Sequence, residues 1–412
     1  MITVFGLGFV GLTTALGFSH FGKRVYGIDT NQERVAILKN NSLPFLEPHL
    51  DIALAEHNNR NFIITDDVQN AIANSEYIFY CVGTPYGENG EADLHYLFSA
   101  LKDTFPYMNK EKPKTLIIKS TIPPSTTKEK IIPFIEEHGW SVGDDVYVAN
   151  NPEFLREGHC WEDFIYADRI VIGSDNEETV DRLKNLYEAF NVPIFAVSSN
   201  TGEYIKYLSN TLLATLISYS NEMADVAEHI GNIDVTKAFN ILHMDKRWNK
   251  CNMTSYVYPG CGYGGYCLPK DTNALYTIAK VKGRNAEILG NVIKTNNNMP
   301  KIIANRIEKH ISNDKKIGIL GLSFKPNSND VRDCASAKII NELQKKGYCN
   351  ICGYDPVAIN EFKEYYNLNM DYKYNLEDIC EYADALIILT AWSEFKKVKN
   401  RIDKLVLDYR YM

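Results

Sequence analysis

Short apolar runs recur along the first half of the chain, at residues 2–5, 24–28, 77–82, 115–119, 146–148 and 169–172. Most gaps between them carry the three-and-four spacing of amphipathic helices. Apolar runs without alternation mark strands covered on both faces, and their alternation with helices predicts a parallel sheet wound with helices on either side. From 201 to 231 the pattern changes to one long helix without proline, followed by helical and loop segments to about residue 300. Strand-like runs return at 316–320, 350–354, 385–389 and 404–407. The predicted class is α/β, with two doubly wound domains joined by a long central helix and a helical domain. The boundaries fall at 1–198, 199–300 and 301–412.

A glycine motif gives the first of these domains a ligand. Gly6, Gly8 and Gly11 follow the first strand and open a helix over 12–21, and Asp29 closes the next strand. In a Rossmann-like domain the first glycine permits the turn, the second admits a pyrophosphate and the third lets helix and sheet pack closely. Unpaired N–H groups at the helix start face the phosphates. An acidic Asp29 accepts from a ribose 2′-hydroxyl and repels a 2′-phosphate, which favours NAD over NADP; Arg34 nearby complicates that preference. A structural glycine turn is the plainer alternative. The C-terminal domain begins a similar unit with Gly318 and Gly321 and closes its next strand on Asp355. It lacks the third glycine and reads Leu322-Ser-Phe-Lys-Pro326 instead. This second Rossmann-like domain is expected to bind a different phosphate ligand, with Lys325 as a charged contact, or else to be structural.

Composition narrows the partners. The 412 residues are 45% apolar and 23% charged, the proportions of an ordinary globular protein. A net charge of −8 and a pI near 5.7 argue against nucleic acid or an anionic membrane as the main ligand. No apolar run is long enough to span a bilayer. The start, Met1-Ile-Thr-Val-Phe5, has neither the basic residues nor the cleavage site of a secretion signal. Nine scattered cysteines do not resemble a disulfide framework. A cytoplasmic, reduced protein is expected. Cys349-x-x-Cys352 has no second pair to complete a zinc site, so no metal is expected.

Three segments carry candidate chemistry. Cys267 lies in the glycine-rich run 259–271 and has Lys270 and Asp271 close behind it. Charged neighbours of both signs stabilise a thiolate and its adducts, which makes a nucleophile and a structural thiol equally good readings. Cys81, Cys352 and Cys380 lie in or beside apolar runs and read as inert. Glu203, Lys206 and Asn210 share one helix face, where Lys206 and Asn210 would meet an oxyanion as cation and neutral donor. A solvated polar stripe is the plainer reading of that spacing. Asn151-Pro-Glu-Phe-Leu-Arg-Glu-Gly158 places Glu153 and Glu157 four apart, as a candidate general acid or base. The plainer reading is a helix start with Pro and Glu in its first turn.

Taken together, the residues resemble the nucleotide-sugar 6-dehydrogenases, the family of UDP-glucose and GDP-mannose dehydrogenases. The motifs are Gly6 to Gly11, Lys119-Ser-Thr-Ile-Pro123, Asn151 to Gly158, Glu203-x-x-Lys206-x-x-x-Asn210, Gly264-Gly-Tyr-Cys-Leu-Pro-Lys-Asp271 and Phe324-Lys-Pro326. They span essentially the whole chain. The resemblance implies oxidation of a sugar C6 alcohol to a carboxylate at the expense of two NAD⁺. It makes Cys267 the nucleophile that forms a thiohemiacetal and then a thioester. Lys206 and Asn210 stabilise oxyanions, Glu153 is the general acid/base, and Asp271 and Thr121 position water. Phe9, Val10, Thr84, Pro85, Ser120, Thr121, Glu157 and Arg332 join Gly6, Gly8, Gly11, Asp29 and Arg34 around the cofactor. Glu153, Phe154, Leu155, Lys206, Asn210, Arg247, Tyr256, Tyr258, Tyr263, Gly264, Phe324 and Lys325 fall on the substrate side. Arg247 matches a residue that reaches into a partner's site, so a homodimer built on the central helices is implied.

The chain departs from the family in a longer stretch between Arg247 and Cys267, in Pro124 and Ser125 where Val and Gly are usual, in Asn327-Ser-Asn-Asp330, and in Tyr266 for a frequent Ser. The form Asn151-Pro-Glu-Phe154 is closer to the glucose and mannose branch, and UDP-glucose is the expected substrate. GDP-mannose, a UDP-N-acetylhexosamine, a two-electron hydroxyacid dehydrogenase and a non-catalytic nucleotide-binding protein are the alternatives.

Overall fold

The computed structural model describes residues 1–87, 90–245, 256–398 and 403–412, without the side chains of Val226 and His229. They form two compact units, 1–208 and 209–412. In the first unit the strands are β1 (Ile2–Phe5), β2 (Val25–Ile28), β3 (Phe62–Ile64), β4 (Tyr77–Tyr80), β5 (Lys114–Ile118), β6 (Val146–Asn150), β7 (Ile170–Gly173) and β8 (Ile194–Val197). They make one sheet in the order β3-β2-β1-β4-β5-β6-β7-β8. The first six are mutually parallel. The order reverses between β1 and β4, which opens a crevice beyond their C-terminal ends.

Alternate residues of these strands feed two cores. Val4, Phe79, Ile117 and Ala149 pack on one face, while Phe5, Ile78, Leu116, Ile118 and Val148 pack on the other. Helices therefore cover both faces, as the uninterrupted apolar runs predict. The sheet is not parallel throughout: β7 meets β6 antiparallel, with Asn150 opposite Gly173, and β8 runs parallel to β7. A doubly buried run reveals that a strand is covered, not which way it points. β8 lies outside the runs predicted as strands although Ile194–Val197 is apolar throughout, and Phe195 and Ala196 are exposed.

The helix Ser199–Ile230 crosses the boundary into the second unit. Its polarity is inverted over the first turns. Glu203, Lys206 and Asn210 are buried, at 2%, 5% and 7% exposure, whereas Tyr204, Leu208, Leu212 and Tyr219 are about half exposed. The solvated polar stripe is thereby excluded. Further along, Arg306 of the helix Glu287–Glu308 pairs with Asp225 at 2.9 Å and with Glu228. The strands β9 (Ile317–Leu320), β10 (Ile351–Tyr354), β11 (Asp371–Tyr372), β12 (Ala385–Ile388) and β13 (Leu405–Asp408) form a parallel sheet in the order β11-β10-β9-β12-β13. Ile303 and Ile307 from the helix Glu287–Glu308, with Ile339, Ile340 and Leu343 from Ala335–Lys345, fill its core.

Candidate active site

The turn after β1 is built for a phosphate. Gly6 has φ 84° and lies against the Cys81 carbonyl, and a Cβ on Gly11 would fall 1.7 Å from the Gly6 carbonyl oxygen. The fold itself requires both glycines. Gly8 differs: a Cβ there would meet no protein atom within 4 Å, so the room beside it is left for something else. Gly8 caps the helix Phe9–His20 without a side-chain bond, and the first internal bond runs from the Leu12 N–H to the Gly8 carbonyl. The N–H groups of Phe9, Val10 and Gly11 thus have no intrahelical acceptor, the arrangement with which helix starts hold anions. Asp29, just beyond β2, accepts from the Leu7 N–H at 2.6 Å, the Asn31 N–H at 2.8 Å and the Arg34 guanidinium at 2.9 Å. The carboxylate holds the glycine turn and retains lone pairs for a ribose hydroxyl. Arg34 is paired to it, so its charge is not offered to a 2′-phosphate.

Two further loops meet past the ends of β4 and β5. The Ser120 hydroxyl donates to the Val82 carbonyl at 2.6 Å, and the Thr84 hydroxyl donates to the Thr121 carbonyl at 2.9 Å. Pro85 accepts from the Asp93 N–H at 2.8 Å. These residues and the glycine turn all sit at the C-terminal ends of parallel strands, where dinucleotides bind in this fold.

After β6 the chain does not start a helix at Asn151; the helix begins only at Cys160. The stretch between is held at both ends. Lys119 donates to the Asn151 carboxamide oxygen at 3.0 Å, Tyr187 donates to the same oxygen at 2.5 Å, and the Asn151 amide donates to the Val171 carbonyl at 2.8 Å. At the other end the buried Glu47 accepts from the Gly158 N–H at 2.9 Å and the Cys160 N–H at 2.6 Å. Glu157 closes the stretch just ahead of Gly158. Between the anchors, Glu153 pairs with Lys206 at 2.7 Å and accepts from the Leu155 N–H at 2.6 Å. The Phe154 ring lies 4.1 Å from the Arg169 guanidinium and 5.8 Å from the Lys206 ammonium. Burial lowers the pKa of Lys119. A desolvated carboxylate–ammonium pair can pass a proton at one member and counter a developing oxyanion with the other.

In the second unit Cys267 is the first residue of the helix Cys267–Val281, not a residue inside the glycine-rich loop as expected. Pro269 is tolerated in a first turn, and a helix start favours a thiolate. Elsewhere burial pushes thiols up, to about 12 at Cys81 and about 11 at Cys261 and Cys352; Cys267 is only half-buried. The fully buried Lys270 and Asp271 pair at 2.5 Å, and Asp271 accepts from the Asn210 carboxamide at 2.6 Å. Lys270 is therefore committed to Asp271, and Asp271 orients Asn210.

The loop leading to the thiol rests on residues 324–334. The Gly265 N–H donates to the Arg332 carbonyl at 3.0 Å, and a Cβ on Gly265 would fall 2.8 Å from the Phe324 ring. Lys325 lies 5.4 Å from that ring. Tyr266, the residue that departs from the family, has the Arg332 guanidinium 4.5 Å and the Lys270 ammonium 5.6 Å from its ring. Arg332 is also held bidentately by Asp330. Tyr263 has both backbone groups bound by the Asn296 side chain, at 2.8 and 3.0 Å, and Gly264 fits against the Asp333 carbonyl. The Tyr258 hydroxyl goes to the Tyr411 carbonyl at 3.1 Å, so it braces the loop. Tyr256 stands in the turn just before it, and Arg247 lies outside the described residues. Sequence reasoning gave no role to Glu47, Asn151, Lys119 or Asn296. Lys119 and Asn151 were detectable as polar residues at strand ends, and Glu47 as a lone acid between apolar residues and Pro48. Asn296 gave no signal.

A dinucleotide cradle in one unit and a helix-borne thiol in the other define a nicotinamide-dependent oxidoreductase. The chain belongs to the UDP-glucose/GDP-mannose dehydrogenase family, whose NAD binding domain matches residues 1–191, central domain 200–298 and UDP binding domain 318–412. It is 36% identical over 405 residues to a UDP-glucose 6-dehydrogenase of Rickettsia bellii, covering 96% of this chain and 90% of that one. It is 34% identical over 399 residues to one of Bacillus subtilis, covering 96% and 88%. Among solved structures, a UDP-glucose dehydrogenase from Pyrobaculum islandicum superposes with a TM-score of 0.91 at 32% identity, covering 100% of this chain and 94% of that one. A UDP-D-ManNAc dehydrogenase from Pyrococcus horikoshii gives 0.85 at 27%, covering 100% and 95%. The enzyme uses NAD and acts on a nucleotide sugar. Among the described residues, no helix is long and apolar enough to cross a membrane.

Proposed function

We propose that the chain oxidises the C6 alcohol of UDP-glucose to the carboxylate of UDP-glucuronate, a precursor for polysaccharide synthesis, in the cytoplasm. NAD⁺ held at the glycine turn would supply the hydride acceptor for each of two oxidations, with the first NADH exchanged for a second NAD⁺ between them. In the first, the C6 hydroxyl loses its proton and C6 its hydride, which leaves an aldehyde. The Cys267 thiolate adds to that carbonyl, and the oxyanion takes a proton to give a thiohemiacetal. In the second, the thiohemiacetal hydroxyl loses its proton and C6 a second hydride, which leaves a thioester. Water adds to the thioester, the carboxylate departs, and Cys267 is freed. Lys206 and Asn210 stabilise the oxyanions, Glu153 moves the water's proton, and Thr121 and Asp271 position that water. Ser120, Thr84, Pro85, Glu157 and Arg332 line the cofactor side, and Phe154, Leu155, Tyr256, Tyr258, Tyr263, Gly264, Phe324, Lys325 and Arg247 the substrate side. The division into 1–198, 199–300 and 301–412 follows these roles.

One observation carries the reading. The half-buried Cys267 starts a helix, and one turn later Asp271 holds the carboxamide of Asn210. The names of the relatives favour UDP-glucose over GDP-mannose and UDP-N-acetylhexosamines. The half-exposed apolar residues Tyr204, Leu208, Leu212 and Tyr219 on one helix support a homodimer built on that helix, which light scattering tests against the chain mass of 46.9 kDa. For the substrate, NADH formation is measured with UDP-glucose, GDP-mannose and UDP-N-acetylhexosamines. The expected kcat/KM is highest for UDP-glucose by at least about 100-fold; a higher value for another sugar refutes the assignment.

A further inference from the structure

Glu203 has no part in the chemistry above, yet it is among the most buried carboxyl groups of the first unit, at 2% exposure. It occupies a nest of backbone N–H groups. Ser125 has φ 76°, Thr126 follows in the right-handed region, and that succession turns the N–H groups of 125 and 127 toward one side. Glu203 Oε1 accepts from the Thr127 N–H at 2.7 Å, while the Thr126 N–H closes the turn onto the Pro123 carbonyl at 3.1 Å. Oε2 is buried and has no hydrogen-bond partner among the described residues. Ser125 stands where the family has glycine; its left-handed conformation is what the nest requires.

The nest ends a stiff segment. Ser120 and Thr121 are tied to Val82 and Thr84 at 2.6 and 2.9 Å. Between Thr121 and the nest lie the buried Ile122 and then Pro123 and Pro124, whose rings fix φ. On the other side, Glu203 is one turn before Lys206 on the helix Ser199–Ile230. We infer that Glu203 is a positioning residue, which fixes the distance between the 120–121 loop and Lys206 by seating its carboxylate in the 125–127 nest. This rests on the proposed roles of Thr121 and Lys206. Glu203 makes none of the bonds of the Glu153–Lys206 pair or of the glycine turn, so its removal is expected to act on alignment and not on ground-state binding.

The test compares the wild type, Glu203→Ala and Glu203→Gln with UDP-glucose and NAD⁺. The expected result is a kcat about 100-fold lower in Glu203→Ala, with KM for the sugar nucleotide within about threefold. Glu203→Gln keeps one acceptor oxygen and should recover about tenfold of that loss. A Glu203→Ala kcat within about twofold of the wild type overturns the inference. So does a loss that falls equally on KM, or one that Glu203→Gln does not relieve. If Glu203→Ala fails to fold, Glu203→Gln decides alone: about tenfold lower kcat at unchanged KM supports the nest, and wild-type kcat overturns it. A wild type that forms no NADH from any nucleotide sugar refutes the functional reading instead.

Discussion

Burial and hydrogen bonding pull Glu203 in opposite directions, and burial wins. Desolvation raises its pKa from 4.5 to about 7, against the lowering effect of the bond from Thr127 and the backbone beside it. A carboxyl whose pKa is higher folded than unfolded stabilises the native state when protonated. That stability is complete below about pH 4.5 and is lost as the pH rises through about 7. The difference amounts to about 3 kcal/mol. Glu203→Gln cannot titrate. Between pH 5 and pH 8 the wild type should therefore lose roughly 3 °C more in melting temperature than the variant; equal losses contradict the buried titration. The same contest between neighbours shapes the thiol end. Lys270, read from sequence as a neighbour for the Cys267 thiolate, spends its charge on Asp271 at 2.5 Å. Adjacency along the chain did not disclose that, because a helix start turns consecutive side chains in different directions.

At the scale of elements, the glycine turn separates what the fold needs from what the ligand needs. Gly11→Ala places a Cβ 1.7 Å from the Gly6 carbonyl and should destabilise the protein by about 1–3 kcal/mol or more. Gly8→Ala meets no protein atom and should cost at most about 1 kcal/mol of stability, as the less favourable N-cap residue. It should nonetheless weaken NAD binding about tenfold, roughly 1.4 kcal/mol. Thermal melts and NAD titrations of the two variants check this; equal behaviour of both contradicts it. Most strands were legible as apolar runs because both faces of each sheet are covered. The three-residue β3 and the two-residue β11 were not, since so short a strand leaves little pattern, and β8 was passed over although Ile194–Val197 is apolar throughout. The reversed direction of β7 was invisible for a different reason: strand direction depends on connection, not on composition. The long helix was legible by its length, while its inverted polarity needed the burial of Glu203, Lys206 and Asn210 to be seen.

At the scale of the molecule, one chain joins a dinucleotide fold, a helical segment and a second Rossmann-like fold, and family membership accounts for all three. The motifs of the candidate site were readable because they are local: glycines after a strand, a three-and-four spacing on a helix, a thiol after a glycine-rich loop. The residues that hold those motifs in place were not. Glu47 reaches Gly158 across 111 positions, Tyr187 reaches Asn151 across 36 and Asn296 reaches Tyr263 across 33. Long-range anchors of this kind leave no spacing to find. The two Rossmann-like folds also use their acids differently. Asp29 retains capacity for a ribose, whereas Asp355 accepts from Leu322, Ser323, Val357, Ala358 and Trp392 and serves the fold.

The role proposed for Cys267 is to let one enzyme perform two successive oxidations. Its most direct measurement is the ratio of NADH formed to UDP-glucose consumed, in the wild type and in Cys267→Ser. Two NADH and one UDP-glucuronate per sugar are expected in the wild type, with no free aldehyde. Acid formation is expected to fall by at least about 1,000-fold in Cys267→Ser, with nucleotide-sugar binding within about threefold. A wild-type ratio of one, or acid formed at an undiminished rate by Cys267→Ser, would contradict that role.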